Sequence, residues 1–390
     1  MRMKDIMDKY VSKLEQAELA EPGQALLGFL DADLLWNRED PQTKLLEGVF
    51  ERININSLLF APPREPYGSI ISYLCRTNEG RILPEDCETR TFIHDIPVVR
   101  QLDPETLTQV LKTRKAAIVQ NSGIAAYGWV SPEQAYILYS SVCFACFVKF
   151  FSDYLQDCKN GSVAPEQREV LHKALSCLDP LPEEPEVELE RGPFRDKARM
   201  IRALDQAGKM VVGYKLVDSF FGNISYLYGD TLYISQTSSS LDELIGHIDP
   251  CPLDNSSCAG ITASSELPAH RDILRKTGHL AVLHGHPKFS VIMSMDCDKR
   301  GDCDKEGECF RRCPEQRDVR GYPVVPGEVG TGPFGLCRTV PPAIEEDKGV
   351  IVYGHGVFTT GARDFNQALQ GLLDVERTCR EEYLRRIAGR

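Results

Sequence analysis

The chain has 390 residues, 42% hydrophobic and 26% charged, a balance that excludes disorder, collagen and coiled coil and leaves room for two or three domains. Its formal charge of −12 is the wrong sign for reading a phosphate backbone, so no nucleic-acid partner is expected. Residues 1–21 hold no apolar signal core. The most apolar stretch, Ile137 to Phe151, carries Lys149 and is too short to span a bilayer at about 20 residues, so a cytoplasmic protein with no membrane partner is expected.

The 14 cysteines are spread over a long chain, which in a reducing compartment points to buried thiols or a metal site before disulfides. Cys143 and Cys146 fall within an apolar helical run (YSSVCFACFVKFF) with nothing polar to activate them, and read as packed thiols. Further on, Leu181 to Arg191 (LPEEPEVELER) has no apolar period and reads as a connector. Arg195 to Gly208 is expected to be helical and Met210 to Asp218 to be an apolar extended run. A hairpin follows, Asn223 to Tyr228 and Thr231 to Ser235, turning at Gly229-Asp230. Ser265 to Thr277 reads as a helix capped by Ser264 or Ser265. His279 to Leu283 and Gly349 to Tyr353 read as buried strands, and Asp364 to Ile387 as a long closing helix. The mixture predicts an α/β fold with a sheet between helical layers.

The two halves resemble each other. Residues 115–135 (KAAIVQNSGIAAYGWVSPEQA) and 348–368 (KGVIVYGHGVFTTGARDFNQA) align at one offset, which pairs Val119 with Val352, Gly123 with Gly356, Gly128 with Gly361 and Gln134 with Gln367. Upstream, Leu58 to Pro63 sets against Val282 to Pro287. Internal duplication is the reading this favours. Under it, His284, His286 and His355 face Phe60, Pro62 and Ser122, so only the second copy has imidazoles at these places.

His284 and His286 close an apolar strand two residues apart, so both side chains point to one face, and Pro287 stops the strand. His355 follows a second apolar strand between Gly354 and Gly356. Three neutral imidazoles at strand ends make an open divalent-metal site with a position left for water or substrate.

From Ile201 to Ile387 the sequence resembles the class II aldolase/adducin family, typified by L-fuculose-phosphate aldolase and L-ribulose-5-phosphate 4-epimerase. The resemblance rests on Gly222-Asn223-Ile224-Ser225, Ile234-Ser235-Gln236-Thr237, Ser264-Ser265-Glu266 with His270, His284-Gly285-His286-Pro287 and Gly354-His355-Gly356. It implies a three-layer α/β/α fold with a central mixed, largely antiparallel sheet, here as tandem aldolase-like domains. Residues 1–180 would be a degenerate copy without metal ligands, 181–194 a linker, and 195–390 the metal-binding domain with a Cys-rich insertion at 296–320. The resemblance makes His284, His286 and His355 ligands of Zn2+, or of another divalent cation such as Mn2+, Fe2+ or Co2+. It makes Glu266 the acid/base, and Gly222, Asn223, Thr237, Ser264 and Ser265 the holders of a substrate phosphate. Ser238 departs from the family glycine after that threonine. Tyr322 and Tyr383 are only positional matches for the tyrosine that such aldolases lend from a neighbouring subunit.

The implied activity is that of a metal-dependent, aldolase-like lyase acting on a sugar, a sugar phosphate or a keto acid through a metal-stabilised enediolate. Epimerase or decarboxylase chemistry on the same site, and a non-catalytic adducin-like binding or scaffold role, are the alternatives. A homodimer imitating the family tetramer is the expected assembly. In the insertion, Cys297, Cys303, Cys309 and Cys313 lie close in sequence. Their spacing is not that of paired C-x2-C knuckles, so a second metal and packed thiols both stand open.

Overall fold

The computed structural model describes every residue except 1, 219, 300–301, 306, 314, 329–330, 345–348 and 390. Lys348, the first residue of the second repeat, thus lies outside the described residues. The chain divides into two compact units, Met1–Asp179 and Pro180–Arg390.

In the first unit the elements run α1 (Met3–Gln16), β1 (Leu26–Leu30), β2 (Leu34–Trp36), α2 (Thr43–Phe50), β3 (Ser57–Ala61) and α3 (Tyr67–Thr77). They continue with β4 (Arg81–Ile82), α4 (Cys87–Phe92), β5 (Ile96–Val99), α5 (Pro104–Leu111), β6 (Ala116–Val119), β7 (Gly123–Gly128), α6 (Pro132–Asn160) and α7 (Pro165–Ser176). Its sheet has the order β2-β1-β3-β7-β6-β5-β4. Alternation along the strands splits the core: Leu26, Leu58, Phe60 and Ala125 pack with Leu46 and Val49 of α2 and Leu107 and Leu111 of α5. Helix α6 packs against β3 and β7 together with α1 and α3. It is long and apolar enough to cross a bilayer, longer than the stretch expected, but 89% of its apolar window is buried, so it is the core helix of this unit.

The second unit runs α8 (Lys197–Gly213), β8 (Asn223–Tyr228), β9 (Thr231–Ser235), β10 (Ile248–Pro252), α9 (Leu267–Thr277), β11 (Ala281–Gly285) and α10 (Lys288–Met295). It ends with β12 (Arg317–Val319), β13 (Tyr322–Val325), α11 (Leu336–Ala343), β14 (Val350–Val352), β15 (Gly356–Gly361) and α12 (Phe365–Ala388). The strand order is β10-β9-β8-β11-β15-β14-β13-β12. Sheets with helices on both faces make each unit a three-layer α/β/α structure, mostly antiparallel, with a single parallel neighbour pair in each sheet among the described residues.

The hairpin β8–β9 falls where expected. Helix α8 runs on to Gly213, so Met210 to Gly213 is not extended: buried Val211 continues the stripe of Met200, Ala203, Leu204 and Ala207. The stretch read as a connector is held to α12 of the second unit. Asn366 Oδ1 accepts from the Leu189 amide at 2.8 Å, and Arg377 donates to the Pro182 carbonyl at 3.2 Å.

The two sheets share a register. Phe60 pairs with Ala125 and His284 with Phe358; Ala117 pairs with Ala125 and Val350 with Phe358; Gly28 pairs with Leu58 and Ser225 with Val282. The offset that aligns the sequences therefore also aligns the pairing, and β10 is an added edge strand of the second unit. Continued into the long helices, it sets Lys149 and Asp153 of α6 at the places of Glu382 and Arg386 of α12. Lys149 pairs with Asp153 at 3.0 Å and with Glu85 at 3.6 Å; Arg386 pairs with Glu382 at 2.8 Å and also with Asp296.

Candidate metal centre

Strand β11 delivers His284 to the sheet face covered by α9 and α11 and ends at Gly285, so His286 lies just past the strand rather than in it, and Pro287, with no N–H to donate, is the N-cap residue of α10. His355 sits in the β14–β15 turn, where Gly354 takes φ +58°. Gly356 admits no side chain: a Cβ there would lie 2.3 Å from the Gly285 carbonyl oxygen and 2.9 Å from the His284 ring. Glu266 is the N-cap residue of α9, and Asn223, first in β8, pairs with His284. The expected serine cap is displaced by one place, since Ser264 Oγ accepts from the Glu266 amide at 3.3 Å and so sets the approach to the helix.

The three imidazoles converge. His284 Nε2 lies 2.9 Å from His286 Nε2 and 3.2 Å from His355 Nε2; Glu266 Oε1 is 3.1 Å from His355 Nε2 and Glu266 Oε2 is 3.4 Å from His284 Nε2. All four residues are buried. His284 Nδ1 is 3.0 Å from the Val357 carbonyl, which can only accept, so Nδ1 carries the proton and the Nε2 lone pair faces the other two rings. Phe358 stacks on His284 with ring centres 4.0 Å apart, and Phe221 on His286 at 5.5 Å.

Burial alone raises the Glu266 pKa, but His284, His355 and the 2.8 Å hydrogen bond from Asn223 Nδ2 outweigh it and hold the carboxyl well below the usual carboxylate range. Burial, reinforced by the neighbouring rings, pushes His286 well below an ordinary histidine, which keeps it neutral. His270, one turn into α9, is pushed down to about 3 by burial, and its Nδ1 is 2.7 Å from Ser225 Oγ.

These donors fit a divalent cation. The His284 Nε2 lone pair faces both neighbouring imidazoles, and a cation placed among the rings would take a lone pair from each. Tetrahedral ligands at about 2.0–2.1 Å from zinc stand roughly 3.3–3.4 Å apart, close to the separations here. Asn223 Oδ1, on the side chain that holds Glu266, is also buried without a hydrogen-bond partner, as expected of a polar site with a constituent to be added.

Of the residues matched to a phosphate site, Gly222 (φ +86°) and Asn223 adjoin His284, while Thr237 and Ser265 are exposed and Ser264 is buried. Thr237 spends its amide on the Thr262 carbonyl and its hydroxyl on the Ala263 carbonyl, both at 2.9 Å. Ser238 takes φ +60°, so the turn keeps the backbone form a glycine would give it. Tyr383 is fully buried against Phe289 and is not available to be lent; Tyr322 is half-buried on β13. Cys297, Cys303, Cys309 and Cys313 are partly exposed free thiols. Among the described residues, only the three histidines gather into a group of metal donors. Their irregular spacing is the physical reason: with no knuckle turn, the sulfurs are not brought together.

Sequence reasoning missed Phe221 and Phe358 as walls of the site. The signal was an aromatic residue just before Gly222 and another two residues beyond Gly356.

Residues 202–383 match the family model of the class II aldolase and adducin N-terminal domain. The C-terminal half is a class II aldolase/adducin domain. Among solved structures, this chain is similar to L-fuculose-1-phosphate aldolase from Thermus thermophilus (22% identity, 48% of this chain and 92% of that one, TM-score 0.37). It is also similar to a sugar-phosphate aldolase from Thermotoga maritima (18%, 50% and 97%, 0.36) and to L-fuculose 1-phosphate aldolase from Glaciozyma antarctica (12%, 52% and 80%, 0.37). No curated protein matches the sequence.

Proposed function

We propose that the C-terminal half is a metal-dependent lyase that breaks a carbon–carbon bond in a small hydroxy-carbonyl substrate, a sugar, sugar phosphate or keto acid, by retro-aldol chemistry. The observation that carries this is the meeting of three Nε2 atoms and the Glu266 carboxylate around one point. His284, His286 and His355 would hold the cation, Zn2+ or another divalent ion. When bound, it supplies Lewis acidity toward the negative charge that develops on a substrate carbonyl oxygen.

The chain's own residues do the rest. Glu266, ionised at neutral pH, is the group placed to take up a proton and return it. Asn223 Nδ2 fixes the rotation of that carboxylate, so its second oxygen faces the histidines. The Phe221 and Phe358 rings exclude water from two sides of the imidazoles, which strengthens every charge interaction inside. Ser264 and Ser265 lie just before α9, where an anionic end of the substrate would be favoured by the helix N-terminus, and Thr237 braces that approach by donating to the Thr262 and Ala263 carbonyls.

The N-terminal half, in this reading, is a duplicated aldolase-like unit that has lost its ligands, and the shared register supports it. The chain would then form a homodimer that imitates a fourfold assembly. Light scattering would contradict that by returning one chain or four.

The decisive test of the site is elemental analysis of the purified protein beside His286→Ala. About one metal equivalent is lost if the reading holds; equal metal in both removes it. Substituting Cys303 and Cys309 separates any thiol-bound metal.

A further inference from the structure

Helix α10 begins two residues after His286, and its N-terminal amides are not served by a neighbouring side chain: Pro287 is the N-cap residue and offers none. They are served from α12. Glu376 Oε1 accepts from the Phe289 amide at 2.9 Å, and Oε2 accepts from the Ser290 amide and the Ser290 hydroxyl, each at 2.8 Å. Glu376 is buried, and that burial pushes its carboxyl above the usual range. Burying a carboxylate is costly, and three hydrogen bonds offset that cost only while α10 and α12 keep one separation.

The far end of α10 holds the third histidine's turn. Ser294 Oγ accepts from the Gly354 amide at 2.8 Å, next to His355, and donates to the Val291 carbonyl. One short helix therefore leads out of the His286 segment and grips the His355 segment, and Glu376 fixes that helix.

The first unit supplies the comparison. The offset that pairs Gly128 with Gly361 puts Cys143 at the place of Glu376. Cys143 is buried and cannot replace a carboxylate acceptor. The equivalent helix, α3, is instead capped locally: Glu65 accepts from the Ser69 amide at 3.1 Å and from its hydroxyl at 2.8 Å. A local cap satisfies a helix start just as well. Of these two helices, the one with the buried, distant cap lies in the unit that has imidazoles to place.

We propose that Glu376 is a positioning residue for the metal centre: it sets His286 and, through α10 and Ser294, His355. The inference rests on the metal-centre reading above and touches no reacting atom.

The test is a zinc titration of metal-free full-length protein against a chromophoric chelator, with thermal unfolding of the same samples. Glu376→Gln is expected to weaken zinc binding 10–100-fold, the range for groups that orient ligands. Ser290→Ala, which keeps both backbone bonds, should weaken it a few-fold and serves if Glu376→Gln does not fold. Asp196→Ala removes the cap of α8, whose side chain accepts from the Arg199 amide, and should lower the unfolding temperature with affinity unchanged. If Glu376→Gln and Ser290→Ala both bind zinc as the wild type does and only melt earlier, the carboxylate is a structural cap and the proposal is overturned. If wild type and His286→Ala bind zinc alike, the metal-centre reading itself fails, a result separate from the first.

Discussion

Phe60 and His284 occupy one register position in two sheets of the same strand order, and the difference between them separates scaffold from chemistry. Phe60 packs in the core with Leu58, Leu26 and the α2 and α5 side chains, where His284 turns its Nε2 toward two other imidazoles. The scaffold's demands are unchanged. A Cβ on Gly123 would lie 2.5 Å from the Ala61 carbonyl oxygen, just as one on Gly356 would meet that of Gly285, so both units keep glycine. Asn223, by contrast, has Leu26 at its place, and Glu376 has Cys143. Residues that close the sheet persist in both; residues that bind and steer charge stand in only one.

The sharpest way to break this contrast is to remove one ligand. His286→Ala should lose the metal equivalent and roughly three orders of magnitude or more of turnover, whereas Pro62→Ala at the matching place should change neither; loss of metal in both variants would show that the sites are not separate. Glu266→Gln comes next. Assayed as carbon–carbon cleavage, it should fall by about 10²–10⁴, and metal content by elemental analysis should stay near the wild-type value.

Acidity should sharpen the comparison further. In the first unit burial raises Asp86 to about 6, and it also raises Asp153 to about 6, against an ordinary 3.8. Between those values the native unit binds more protons than the unfolded chain, so stability falls as pH rises from about 4 to 6, by roughly 2–3 kcal/mol for a fully buried carboxyl. In the second unit, hydrogen bonds from Arg385 and Arg386 lower Glu382 to about 2. Its contribution is present above the unfolded value near 4.5 and is lost as pH falls toward 2. Hydrogen exchange resolved by segment should show protection in α4 and α6 weakening from pH 4.5 to 6.5, with the last turns of α12, around Glu382, weakening on acidification; parallel behaviour of α6 and those last turns would refute the assignment.

The smallest effect is expected at Ser238, which holds the left-handed backbone form. Ser238→Gly should stabilise by about 0.5–1 kcal/mol, relief of strain exceeding the added freedom of the unfolded chain. A lower unfolding temperature would mean that the hydroxyl makes a contact that matters.

Much of this was legible in the sequence because it depends on short periods. Alternation and the Gly229-Asp230 turn placed the β8–β9 hairpin, and two histidines either side of one glycine had to share a face. The offset between halves proved to be a pairing register because both sheets obey the same pleat. What could not be read was tertiary. Glu376 looks like an exposed helical glutamate until it is noticed on the buried stripe of Leu372, Cys379 and Tyr383. The Leu181 to Arg191 stretch has no apolar period because its own backbone is what α12 binds. Helix α8 overran its expected end because Met210, Val211 and Val212 suit a strand equally well in isolation.

The oppositely ordered ion pairs on the two long helices have a bearing on how the chain finds its fold. Two halves with one strand order invite the wrong helix to dock on the wrong sheet during collapse. Were α6 to settle where α12 belongs, Asp153 would fall at the place of Arg386 and meet Asp296, two like charges in poor reach of water. The reversal of sign thus gives each half a means of rejecting the other half's helix, a safeguard that two helices with the same charge order would lack.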